Sequence, residues 1–105
     1  MGRITIAIYK PKKGMEQALM SVIEDHMPVL KGQDLITDRK PIVMRASGGS
    51  IVEVFEWKSS KAISDAHHNP EVQKLWERFS EVCDFEIPVN VEEFHNMFAE
   101  FAPVN

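Results

Sequence analysis

The chain has 105 residues, 44% hydrophobic and 27% charged, with a net charge of −4, which gives room for one domain that buries roughly two thirds of its unfolded surface. No face collects Lys and Arg over a long run, which argues against nucleic-acid binding driven by phosphate neutralisation. No apolar run approaches the ~20 residues of a membrane helix, the stretch before Lys10 is too short for the apolar core of a signal peptide, and a single cysteine forbids an internal disulfide; the expected setting is a reducing cytoplasm.

Arg3 to Tyr9 alternates Ile4, Ile6 and Ile8 against Thr5, Ala7 and Tyr9, a period of two with β-branched residues that predicts a strand. Lys10 to Gly14 breaks it, and the lysines there read as a solvated turn. From Met15 the apolar positions Ala18, Leu19, Val22, His26 and Leu30 recur at helical spacing, with Glu16 in the first turn. Pro28 is expected to kink or stop this helix near His26, and Gly32 to cap it. Pro41 to Ala46 and the segment from Ile51 predict a hairpin with Gly48-Gly49 as a two-residue tip, which opposes Arg45 to Val52, Met44 to Glu53 and Val43 to Val54. A one-residue slip would exchange the faces.

Ser59 or Ser60 can cap a short helix to about His68, and Asn69-Pro70 restarts a second one, Asn as N-cap and Pro at the first helical position. Val72, Leu75, Trp76, Phe79, Val82 and Cys83 form its apolar stripe. Asp84 to Val89 reads as an extended connection, Asn90 to Asn96 as a short capped helix, and Phe98 to Ala102 as a last strand. The sum is α+β, a ferredoxin-like β-α-β-β-α-β antiparallel sheet with its helices on one face, in a single domain over 1–105. A sheet apolar on both faces needs a second cover, which predicts a homodimer packed sheet to sheet; the competing cover is the chain's own C-terminal segment.

The element order, with Glu56-Trp57-Lys58-Ser59 closing the third strand and Ala66-His67-His68-Asn69-Pro70 leading into an aromatic-rich helix, resembles the dimeric α+β barrel superfamily, nearest its antibiotic-biosynthesis-monooxygenase-like domains. The likeness spans about Ile4 to Phe101. It implies a ligand pocket between sheet and helices and, among other activities, cofactor-independent monooxygenation or isomerisation. The haem-degrading members use an Asn in the first strand, and Arg3 to Tyr9 has none.

Candidate chemistry centres on His67 or His68 as a general base, one expected to face the sheet and the other solvent. Asn69 or Arg45 would hold a developing oxyanion, and Trp57 and Trp76 would wall the pocket. His26 could line it from the other side. Glu53 and Glu56 fall on opposite faces of a buried strand, so either could act as acid or base, or pair structurally, Arg45 being a partner for Glu56. No spacing specifies a third metal ligand, so neither a metal nor another cofactor is expected. The reading is a pocket protein for a small apolar or aromatic ligand, a cofactor-independent monooxygenase if an enzyme; the alternative is a non-catalytic binding or structural dimer.

Overall fold

The computed structural model describes residues 1–105 as an antiparallel five-stranded sheet with three helices. The strands are β1 (Arg3–Pro11), β2 (Ile42–Arg45), β3 (Ile51–Trp57), β4 (Cys83–Glu86) and β5 (Ala102–Pro103). The helices are α1 (Glu16–Gly32), α2 (Ser60–Ala66) and α3 (Pro70–Val82). The sheet order is β4-β1-β3-β2-β5.

Each strand face follows from register. Ala7 opposes Glu53 and Thr5 opposes Phe55, so Thr5, Ala7 and Tyr9 share a face with Ile51, Glu53, Phe55 and Trp57. That face meets α1 and α3. Leu19, Val22 and Ile23 of α1 and Leu75 and Phe79 of α3 close over Tyr9, Val43 and Ile51 in one core, while Leu30, Phe55, Trp57, Ala66 and Val72 form a second. Burying one such aliphatic or aromatic side chain contributes roughly 1.5–3 kcal/mol, so this interface dominates stability.

The hairpin differs from the two-residue tip by one step. Ala46 N–H donates to the Ser50 carbonyl at 2.9 Å, which leaves Ser47-Gly48-Gly49 as a three-residue loop with Gly49 at φ +98°. A loop of three residues with a left-handed third position is a standard hairpin closure. Arg45 therefore opposes Ile51 and Val43 opposes Glu53, and the β2 side chains exchange faces relative to those of β3.

Pro28 lies inside α1 without stopping it. Its missing donor orphans only the carbonyl of exposed Glu24, which water can serve, so the helix continues to Gly32. The left-handed residue after it is Asp34 (φ 60°), not Gly32, and Leu35 N–H reaches the Leu30 carbonyl at 3.1 Å in a Schellman-type close.

The strand beside β1 is β4, built from residues read as a connection, and it pairs only with Ile8 to Pro11. Of Phe98 to Ala102, expected as the last strand, only Ala102 is in β5, which pairs with β2 through Ala102 and Pro103. Between them, two 3₁₀ turns (Pro88–Asn90 and Glu92–His95) bring Val91, Phe94 and Phe101 against Ile8, Ala46 and Val52 on the sheet's other face. The cover is partial. Ile4, Ile6 and Ile42 on that face stay 58%, 52% and 56% exposed.

Candidate functional site

Three polar side chains converge inside the sheet–helix layer. Glu53 projects from the middle of β3 and is 1% exposed. The Tyr9 hydroxyl donates to its Oε1 at 2.8 Å, and the Nδ1 of His26 lies 2.6 Å from the same oxygen. Each arrives from a different element: Tyr9 sits diagonally across the β1–β3 ladder, and His26 is the one polar residue on the buried stripe of α1. A buried carboxylate is costly unless it is bonded in this way.

The surroundings are aromatic. Tyr9 stacks on Phe79 with ring centroids 4.6 Å apart, and His26 lies edge-on to Phe55 and Phe79 at 5.2 and 5.1 Å. Burial, then the adjacent negative charge of Glu53 and the hydrogen bond to it, push the Tyr9 phenol far above its ordinary pKa. Tyr9 is therefore a fixed donor and cannot serve as a phenolate base.

Beside this triad lies a cavity of about 230 Å³ walled by Phe55, Trp57, Trp76, Phe79 and Phe85, with Thr5, Tyr9, His26 and Glu86 as its polar side chains. It lies along the half of β1 that β4 leaves unpaired. The volume is below the ~300–1,000 Å³ usual for drug-sized ligands and suits a small one. With Nδ1 engaged by Glu53, the other ring nitrogen of His26, Nε2, has no protein partner. A histidine oriented by a carboxylate at one nitrogen and open at the other is the arrangement a general base needs.

The residues expected to form the site divide. His26, Glu53, Trp57 and Trp76 gather at or beside the cavity. His67 and His68 do not: both are exposed in the turn after α2, because Ala62 and Ala66 take the inward positions of that short helix. His67 only lays its ring 5.1 Å from the outer side of Trp76. Asn69 is consumed as the α3 N-cap, accepting from Glu71 N–H (2.9 Å) and Val72 N–H (3.2 Å) and donating to Gln33. Arg45 is exposed at the end of β2. Glu56 pairs instead with Thr37 and Arg39, whose hydroxyl and guanidinium hold its carboxyl below the ordinary carboxylate range.

The sequence alone does not single out Tyr9, Phe79 and Phe85 as site residues. The available signal is a tyrosine at the end of an alternating strand and a Glu in the middle of an apolar one, each wanting a partner. No group of three or more His, Cys, Asp or Glu side chains gathers as a metal set. No helix is long and apolar enough to cross a membrane.

No protein-family model, curated protein or solved structure matches the chain. The functional reading therefore rests on the site.

Proposed function

We propose that the chain binds a small, flat, apolar substrate in the cavity beside His26 and removes a proton from it. The supporting observation is the 2.6 Å contact between His26 Nδ1 and buried Glu53, which leaves Nε2 as the base at an aromatic wall. Nε2 takes a proton from an acidic C–H or O–H, and the charge spreads over the substrate's ring system. Hydroxyl and indole N–H groups of Thr5, Trp57 and Trp76 are the donors available to the oxyanion. With dioxygen as oxidant, a ring CH₂ becomes C=O and one water leaves, a cofactor-independent monooxygenation. Without it, returning the proton to another carbon gives isomerisation.

The test is oxygen uptake and proton exchange with a panel of fused-ring phenols and ketones. His26→Gln should lower kcat by about 10²–10⁴, the usual contribution of a positioned base, with the near-UV dichroism unchanged. His67→Ala and His68→Ala should leave kcat as it is. Equal kcat in His26→Gln overturns the base assignment, and ligand binding without either reaction returns the chain to a binding module.

The strand order and the one-sided helices also support a ferredoxin-like plan in which two copies pack sheet to sheet as a dimeric α+β barrel. Ile4, Ile6 and Ile42 form the bare part of the face that the C-terminal segment leaves uncovered, and a self-complementary two-fold contact is the commonest way to bury such a patch. Sedimentation at micromolar concentration should give a dimer and Ile6→Lys a monomer; a monomeric parent chain contradicts it. The lone thiol fits a reducing, cytoplasmic setting.

A further inference from the structure

Glu53 has two carboxylate oxygens, and only Oε1 is used by Tyr9 and His26. Oε2 is buried and has no hydrogen-bond partner. A second cavity of about 290 Å³ lies between α1 and the β2 edge. Glu53 lines this cavity and does not line the first. Its other walls are Met20, Ile23 and Met27 of α1, Val43 of β2 and Val104 from the segment after β5, with Glu24 its second carboxylate and no Lys, Arg or His.

We propose that this second cavity is a binding site for a small primary ammonium compound with an apolar tail, its N–H groups donating to Glu53 Oε2. Two observations carry the class of ligand. An orphaned carboxylate oxygen in a buried site calls for a donor, and a charged donor is favoured over a neutral one. Apart from Glu24 and the Asn105 amide the walls are aliphatic and thioether, and the only charged side chains are negative, which rejects a carboxylate and accepts a cation. Asn105 makes no hydrogen bond to Oε2: its amide oxygen accepts from Val43 N–H (3.0 Å) and its amide nitrogen donates to the Pro41 carbonyl (2.9 Å). Met20 and Met27 are the parts of the wall that yield to admit the tail, because unbranched thioether side chains re-pack at low cost. Glu53 reaches the first cavity only through His26, and binding here does not depend on any reaction occurring there.

The experiment is a titration of the intact chain, labelled with ¹³C at the methionine methyls, with butyl-, pentyl- and hexylammonium, and with hexanol and hexanoate as controls. Hexylammonium should shift the Met20 and Met27 methyl signals saturably, and Kd should tighten roughly fourfold per added methylene. Hexanol should bind at least about tenfold more weakly and hexanoate not at all. Glu53→Gln should weaken hexylammonium by roughly 10–100-fold. Met27→Trp, which fills the cavity and leaves the carboxylate in place, should abolish the Met20 shift even if Glu53→Gln fails to fold. The proposal is overturned by hexanol binding as well as hexylammonium, by shifts confined to methionines other than Met20 and Met27, or by no saturable shift up to ~10 mM. None of these outcomes depends on turnover, so failure here is distinct from failure of His26 as a base.

Discussion

Tyr9→Phe removes one oxygen and nothing else from the centre of the fold. The ring stays stacked on Phe79 at 4.6 Å, so little volume is lost, and the change isolates the 2.8 Å bond to Glu53. A buried hydrogen bond to a charged partner contributes about 1.5–3 kcal/mol. At about 4–8 °C per kcal/mol for a domain near 100 residues, the melting temperature should fall by roughly 6–24 °C. The substitution should also change the alkaline limb. Folded Tyr9 holds its proton well beyond the ordinary phenol value near 10. Above that pH the unfolded chain has released a proton that the native state keeps, so stability is complete below about pH 10 and falls as pH rises. Urea midpoints from pH 7 to 11 measure both effects. The parent should lose stability above pH 10 and Tyr9→Phe should lose less. A midpoint loss below about 0.5 kcal/mol at pH 7, or an unchanged alkaline slope, would refute the role given to this hydroxyl.

Other perturbations test the frame around the site. Asn69→Ala removes the cap from Glu71 and Val72 and a bond to Gln33, and urea unfolding should show a loss of about 1–2 kcal/mol. Burial, and then the neighbouring Asp84 carboxylate, push the Cys83 thiol up to about 11, so a thiol reagent at pH 8 should label it only at the rate of unfolding. Fast labelling of the native chain would contradict its packing under Phe79. His67→Ala and His68→Ala together should change stability by no more than about 0.5 kcal/mol per site, since both side chains are exposed.

Much of the frame was legible because local chemistry agreed with it. Alternation in Arg3 to Tyr9 and the Asn69-Pro70 restart each specify an element without help from elsewhere, and both appear as read. Elements whose identity depends on a distant partner were not legible. Cys83 to Glu86 is a strand because β1 offers it an edge, and the hairpin register turned on one residue of loop that Gly48-Gly49 alone left open. The site had the same difficulty. His26, Glu53, Trp57 and Trp76 were each marked as candidates, yet His26 and Tyr9 lie 27 and 44 residues from Glu53 in sequence. The Ala7–Glu53 register brings Tyr9 to Glu53, and the packing of α1 on the sheet brings His26. The adjacent histidines drew notice as residue types, although the Ala62 and Ala66 spacing already pointed α2's inner side away from them.

Nitrogen-15 NMR of the His26 ring tests the central claim most directly, because the claim concerns which nitrogen is free. In the neutral ring the proton should sit on Nδ1, facing Glu53, with Nε2 bare. A small fused-ring phenol such as naphthol should perturb Nε2 on binding, and Glu53→Gln should weaken the tautomer preference. A neutral ring protonated at Nε2, or an Nε2 signal that naphthol binding leaves unmoved, would contradict the account.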